Sequence, residues 1–322
     1  MRKFLFIVMG SLIPAVAVIG ARGQAPSPKP PCAAPADNYA FMGIKTVRLW
    51  EGDAPEARGN QCEDIPTLTI FDPPTPVGNG SAVIVFPGGG YHTLVASREG
   101  RQVADWFAAR GFKAFILSYR LSANGYLLPV PLLDARRAIQ TVRAHAAEYH
   151  IDPNRIVVAG FSAGGHLAAL SATRPVSGDP SSADPIERVS SRPDYLVVGY
   201  PWIGALGDDM DHLNYCKTLN IMDKCAALRA QYSPDLFVTK DDPPTFWVHS
   251  IDDKVVPIEQ GMRFYLALLK AGVPAEAHLF GHGGHGFALG KGDPELDGWT
   301  VHLEAWLRTF GLFTPVVRPK TR

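Results

Sequence analysis

The sequence predicts an α/β fold, in which a mostly parallel central sheet carries helices on both faces. Three observations lead there. Strand-like and helix-like runs alternate from about Val47 to the C-terminus, the rhythm of strands joined by helical crossovers. Two late runs, "DYLVVGYP" and "TFWVHS", stay apolar along most of their length instead of alternating, as strands covered on both faces do. The helix-like runs place apolar residues at helical spacing and several stop at a glycine.

The elements follow in order. Residues 1–25 read as an export signal: Arg2 and Lys3 precede an apolar stretch from Phe4 to Ile19, and Ala21, Gly23 and Ala25 offer cleavage positions. The stretch is shorter than the roughly 20 residues a spanning helix needs, and Pro14 interrupts it. No membrane insertion is therefore expected after cleavage, and the destination is the periplasm or the medium. Residues 26–38, with "PSPKPPCAAPAD", form a Pro-rich extended linker. Residues 39–322 form one domain.

Within it, "SAVIVFPGGGY" is a buried strand ending in glycines, and "REGRQVADWFAARGF" is a helix stopped at Gly111 before the strand "KAFILSY". "LLDARRAIQTVRAHAAEYHI" is an amphipathic helix. Asp134 falls in its first turn, where a carboxylate favours the helix dipole, with Arg120 as a candidate partner. "RIVVAGF" is a strand and "GGHLAALSAT" the helix after it. "IEQGMRFYLALLKAG" (helix), "AEAHLF" (strand) and "GWTVHLEAWLRTFG" (helix) close the domain. Trp106 and Trp306 lie on apolar helix faces and are assigned to the core. Two stretches break the rhythm: the loop "RPVSGDPSSADPIERVSSRP", and residues 203–240, a small insertion over the sheet's edge.

The chain's 322 residues are 46% hydrophobic, ample for a core, and 31 basic residues balance 31 acidic ones. That balance, with no basic block, gives no reason to expect a nucleic-acid partner. Four cysteines in an exported chain suggest disulfides, and the simplest pairing is Cys216–Cys225 with Cys32–Cys62. Neither their spacing nor the scattered His92, His145, His166, His212, His249 and His278 resembles a metal site, and no metal is expected.

The chemistry concentrates around Ser162. Gly160-Phe161-Ser162-Ala163-Gly164 fits G-x-S-x-G with a strand before it and a helix after it. A sharp turn there lifts the hydroxyl above the sheet, and small flanking residues let strand and helix pack closely. Ala163, at the helix start, aims its N–H at any oxygen held nearby. His166, on that helix, reads as a packing or capping residue rather than a second base.

A serine needs a base, and the base needs an orienting acid. Past one late strand stand Asp252 and Asp253; past the next stand His282 and His285. Both loops lie on the same sheet edge as Ser162, where ligands collect in open α/β sheets. Upstream, the glycines of "FPGGGY" bring backbone N–H groups to that edge, making Gly89 and Gly90, with Ala163, the candidate oxyanion hole. Tyr91, beside those glycines, and Tyr200 and Trp202, past the "LVVGYP" strand, are candidates for the pocket wall.

These stretches carry a resemblance. "FPGGGYHTL", "SYRL", "LLDARRAI", "RIVVAGFSAGGHLA", "PPTFWVHSIDDKVVP" and "GHGGHGF" are similar to segments of α/β-hydrolases, and within them to bacterial esterases related to acetyl-xylan and feruloyl esterases. They span nearly the whole chain after the linker. Hormone-sensitive-lipase-like esterases are more distant and carry histidine where Pro87 stands. The resemblance implies that Asp253, before V-V-P, is the acid and Asp252 a turn residue. It likewise implies that His285, before G-F, is the base and His282 a loop neighbour. The implied activity is cofactor-free hydrolysis of a small ester, an acetyl group on xylan or a xylo-oligosaccharide, through a Ser162–His285–Asp253 triad and an acyl-enzyme. The alternatives are a feruloyl esterase, a serine exopeptidase of the same fold, and a non-catalytic carbohydrate-binding relative. The peptidase normally adds a large specificity domain; the binder usually lacks a triad member.

Overall fold

In the computed structural model, which describes residues 44–74, 78–204, 216 and 222–314, the densest apolar runs become the middle of a sheet. The strands are β1 (Thr46–Arg48), β2 (Thr67–Phe71), β3 (Ala82–Phe86), β4 (Lys113–Ser118), β5 (Ile156–Phe161), β6 (Tyr195–Gly199), β7 (Thr245–Ser250) and β8 (Ala275–Phe280). They form one sheet in the order β1-β2-β4-β3-β5-β6-β7-β8. All neighbours from β4 to β8 are parallel. β2 is antiparallel to both β1 and β4. This antiparallel pair at one edge is an addition to the sequence reading, which singled out no strand before "SAVIVF".

The helices are α1 (Gln102–Ala108), α2 (Val130–Ala144), α3 (Ala163–Thr173), α4 (Cys225–Tyr232), α5 (Ile258–Ala271) and α6 (Trp299–Thr309). Successive strand residues serve opposite layers, as a period of two requires. Ile84, Phe86 and Val158 pack with Leu132 and Ile139 of α2, Leu167 of α3 and Phe264 of α5. Val83, Val85 and Val157 pack on the other face with Val103 and Phe107 of α1 and Leu303 and Leu307 of α6. Trp306 is buried in that second layer, whereas Trp106 is half-buried under the guanidinium of Arg110, 3.9 Å from its ring centre. Among the described residues no helix is long and apolar enough to cross a membrane.

Three sequence expectations change. The helix expected from Leu132 starts two residues earlier, with Pro131 in its first turn, where a missing N–H costs nothing, and it ends at Ala144. Asp134 therefore lies beyond the first turn, and its role is not the dipole. It meets Arg120 in a fully buried ion pair, with the Arg120 Nη2 2.6 Å from Oδ1 and the Arg120 amide donating to Oδ2 at 2.9 Å. Arg120 Nη1 donates to the Pro55 carbonyl at 2.7 Å. Finally, the described part of the 203–240 insertion packs into a core layer. Tyr232 and Cys225 join the core layer of α2, α3 and α5, and Arg263 of α5 pairs with Asp235 at 2.7 Å. Cys216 and Cys225 are bonded, with their Cα atoms 5.7 Å apart. Cys32, the signal and the linker lie outside the described residues, so the Cys32–Cys62 pairing does too.

The strand order places the functional edge. The chain leaves β3 toward β4 on one side and leaves β5 toward β6 on the other, so a crevice opens between the C-terminal ends of β3 and β5.

Truncating one half of the buried pair strands the other charge. Asp134→Ala is expected to lower the unfolding free energy by about 3–5 kcal/mol, read from guanidinium melts. A loss below about 1 kcal/mol, the range of an exposed pair, would show that Arg120 does not need this partner.

Candidate active site

Ser162 occupies the one-residue turn between β5 and α3 with φ 52° and ψ −121°. A side chain in that region costs on the order of 1–3 kcal/mol, and three hydrogen bonds hold it. The Ser162 N–H donates to the Gly199 carbonyl, and the Ser162 carbonyl accepts from the His166 and Trp202 amides, all at 3.0 Å. The flanking glycines explain why the motif tolerates nothing larger. A methyl group on Gly160 would meet the Gly164 carbonyl, and one on Gly164 the Phe86 carbonyl.

Two loops from later strands meet this hydroxyl. His285, past β8, has Nε2 2.8 Å from Ser162 Oγ and Nδ1 2.7 Å from Asp253 Oδ2. Because a carboxylate only accepts, Nδ1–H donates to Asp253, and Nε2 is left to accept the serine proton. Asp253, past β7, is buried; its Oδ1 accepts the Val255 and Val256 amides at 2.8 Å. Burial alone would raise its carboxyl. Hydrogen bonds from His249 and His285, the charge on His285 and the Val256 amide outweigh that and hold it far below the usual carboxylate range.

The paired candidates separate cleanly in space. Asp252 is exposed and accepts from the Ser250 hydroxyl at 2.5 Å and the Gly284 amide at 2.7 Å, anchoring the histidine loop. His282 points away, to Asp293 at 2.8 Å and Glu295 at 3.2 Å.

Gly89 (φ 129°) and Gly90 (φ 63°) turn the chain after β3. The Gly89 carbonyl accepts the His92 and Thr93 amides at 3.0 Å, closing a tight loop whose outer face borders a cleft of about 490 Å³. Ser162, His285, Gly89, Gly90, Trp202 and Val255 are among its walls. Ala163 opens α3 beside them, with the free N–H of a first helical residue.

Two pocket candidates are displaced. Tyr91 turns inward at φ 60° and is fully buried, its hydroxyl donating to His166 Nδ1 at 2.6 Å. Tyr200 is also fully buried beneath the cleft, its ring edge-on to His285 at 5.0 Å. Their positive φ values aim both side chains into the protein, which no periodicity reveals. Trp202 remains in the wall.

Two residues that the sequence reading gave no role at the site sit there. His249, in β7, is fully buried; Nε2 donates to the Val256 carbonyl at 3.0 Å and lies 3.3 Å from Asp253 Oδ2. A histidine inside a doubly covered strand was the available signal. Glu99 lines the cleft although it is 3% exposed. Its signal was a charge falling among the inward positions Ala96, Gly100 and Val103. The segment Ala96–Arg101 is a π-helical turn leading into α1.

His166 lies under the elbow, Nε2 donating to the Tyr232 carbonyl at 2.7 Å. Burial pushes its pKa down from 6.5 to about 4, only partly offset by that hydrogen bond. Between those values the unfolded chain binds a proton that the folded chain refuses, so this group makes stability rise with pH and fall on acidification. His166→Gln should flatten the stability–pH slope between pH 6.5 and about 4, by up to about 1.4 kcal/mol per pH unit. Urea melts across that window check this; equal slopes would mean the imidazole is not buried neutral.

Known proteins align with this geometry. The BD-FAE family model matches residues 68–183, which hold the glycine loop and Ser162. The model of the prolyl oligopeptidase family matches 202–309, which hold Asp253 and His285. An acetylxylan esterase of Xylanibacter ruminicola is 30% identical over 75% of this chain and 48% of its own length. Endo-1,4-beta-xylanase B of Butyrivibrio fibrisolvens is 32% identical over 68% of this chain and 34% of its own. The chain thus spans half or less of these curated relatives. Among solved structures, an acetyl ester-xyloside bifunctional hydrolase of Caldicellulosiruptor lactoaceticus is 38% identical with a TM-score of 0.73, covering 83% of this chain and 97% of that one. A thermophilic esterase of Thermogutta terrifontis with bound propionate is 27% identical with a TM-score of 0.68, covering 86% and 98%. With a solved relative 38% identical and matched over 97% of its length, the chain belongs to the α/β-hydrolase superfamily, among its acetylxylan-esterase-like esterases.

Proposed function

We propose that this protein is an exported serine esterase that removes acetyl groups from xylan or xylo-oligosaccharides. The carrying observation is the bridge of His285 between Ser162 Oγ, at 2.8 Å, and Asp253 Oδ2, at 2.7 Å. In this reading His285 Nε2 takes the hydroxyl proton as Ser162 attacks the ester carbonyl, and Asp253 holds the imidazole tautomer and stabilises its cation. The Gly89, Gly90 and Ala163 amides face the developing oxyanion, each donor contributing about 3 kcal/mol to lowering the barrier. Proton return from His285 expels the sugar alcohol and leaves an acetyl-serine. Water, deprotonated by the same imidazole, then releases acetate. The names of the relatives support the sugar ester as substrate, and the disulfide supports export. We take residues 39–322 as the catalytic domain and residues 1–25 as its removed signal.

The match of 202–309 to the prolyl oligopeptidase family favours one rival, a serine exopeptidase using the same three side chains. Substrate panels separate the two. Acetate should be released from acetylated xylan as well as from p-nitrophenyl acetate, with no turnover of aminoacyl-prolyl or feruloyl substrates at comparable rates. Cleavage of the aryl ester with none of xylan would remove the polysaccharide, and preferential peptide cleavage would replace the esterase.

The acid assignment has its own test. Asp253→Asn should lower kcat by about 10³–10⁴-fold, as expected when the imidazole loses its orienting carboxylate. Asp252→Asn removes a loop anchor worth about 1–1.5 kcal/mol, hence roughly tenfold at most. The reverse ranking would move the acid to Asp252.

A further inference from the structure

Glu99 is a carboxylate held almost without solvent at the floor of the cleft, and the proposed hydrolysis gives it nothing to do. Burying a charge there is costly unless its partners use it. Its partners are specific. Oε2 accepts the Gly88 amide at 2.8 Å, and Oε1 accepts the Tyr200 hydroxyl at 2.9 Å. The same Tyr200 oxygen accepts the Ala288 amide at 3.0 Å. Gly88 immediately precedes the oxyanion-loop glycines, and Ala288 lies in the loop that carries His285. One carboxylate therefore joins the two loops that must face each other across the ester, by way of the tyrosine that follows β6.

The geometry also puts Glu99 close to the reacting groups. A Cβ built on Gly88 would lie 2.6 Å from Glu99 Oε2 and 2.9 Å from the Ser162 Cβ. The Tyr200 ring, whose hydroxyl the carboxylate fixes, stands edge-on to the His285 imidazole at 5.0 Å and to Phe287 at 4.8 Å. Ala288, at φ 48°, is pinned from both sides, its amide to Tyr200 and its carbonyl to the Trp299 indole N–H at 3.1 Å. The other charged or titratable groups facing Glu99 are Arg98, His285 and Tyr119, whose hydroxyl is already donated to the Pro87 carbonyl at 2.7 Å. Burial raises the Glu99 carboxyl above its usual range, against the Gly88 amide and Tyr200 hydroxyl, which pull it down.

We infer that Glu99 is a positioning residue for the hydrolysis, setting the spacing between the oxyanion loop and His285 through Gly88, Tyr200 and Ala288. The inference rests on the serine-esterase reading. Glutamine keeps the shape but turns one accepting oxygen into a donor, so either Gly88 N–H or Tyr200 O–H loses its acceptor. A misplacement of about 1 Å at the reacting atoms costs up to about a hundredfold.

The experiment compares Glu99→Gln, Tyr200→Phe and the double variant in steady-state hydrolysis of p-nitrophenyl acetate, with melting temperatures alongside. Glu99→Gln is expected to lower kcat about 10- to 100-fold with KM within about threefold. Tyr200→Phe, which keeps the ring and loses only the hydroxyl, should lower kcat in the same way. The double variant should be no slower than the worse single one, because both cut the same chain of hydrogen bonds. Should Glu99→Gln not fold, Tyr200→Phe carries the test by itself. A folded variant with wild-type kcat, a change confined to KM, or effects that multiply in the double variant would each overturn the inference. Failure of the wild-type protein to hydrolyse the ester or to react with a fluorophosphonate would instead sink the esterase reading.

Discussion

Ser162 sits in a backbone conformation that a residue with a side chain avoids, and the surrounding structure leaves it no cheaper one. The Gly199 carbonyl and the His166 and Trp202 amides fix both ends of its peptide units. The close approach of α3 to β3 and β5, possible only because Gly160 and Gly164 have no Cβ, prevents the turn from relaxing outward. The same feature recurs around the cleft. Tyr91, Tyr200 and Ala288 are also non-glycine residues with positive φ, each buried within two residues of a cleft wall at Gly90, Trp202 or Gly286. Strain of this kind persists only where packing over-determines it. The double-sided core of α2, α3 and α5 on one face and α1 and α6 on the other supplies that packing.

With the turn fixed, electrostatics decides what the hydroxyl meets. Asp253 is buried yet receives hydrogen bonds on both oxygens, so it stays charged and keeps His285 in one tautomer. His249 supports it from within β7, 3.3 Å from its Oδ2. Glu99 is the second buried carboxylate, and both of its oxygens are satisfied as well. Arg120 and Asp134, remote from the reaction, follow the same rule with a mutual pair. None of these buried groups is stabilising in isolation; each is tolerable because its carboxylate oxygens or guanidinium nitrogens are hydrogen-bonded.

Much of this was legible along the chain. Strands such as "AVIVF" and "TFWVHS" announce burial by composition, and glycines mark where helices stop. The G-x-S-x-G turn declares itself because strand and helix flank it directly. The edge strands β1 and β2 were not legible: "TVR" is too short to show a period, and "TLTIF" gains its meaning from pairing with β4. The 203–240 insertion carries no core-like rhythm, so the packing of its Cys225 and Tyr232 into the core layer of α2, α3 and α5 could not be anticipated. Asp134 was placed in the first turn because the helix was read from Leu132, whereas α2 starts two residues earlier, at Val130, with Pro131 in its first turn.

By itself, then, the sequence determined the fold class, the order of strands and helices from β3 onward, the serine turn and the short list of acids and bases that meet it. Those properties depend on local composition and on residues near one another in the chain. Only the tertiary structure decided which way Tyr91 and Tyr200 face, that Asp252 anchors a loop while Asp253 turns to His285, and that Glu99 and His249 belong to the site. Each of those outcomes depends on a contact between segments far apart in sequence, or on one residue's φ, and neither leaves a periodic trace in the order of amino acids.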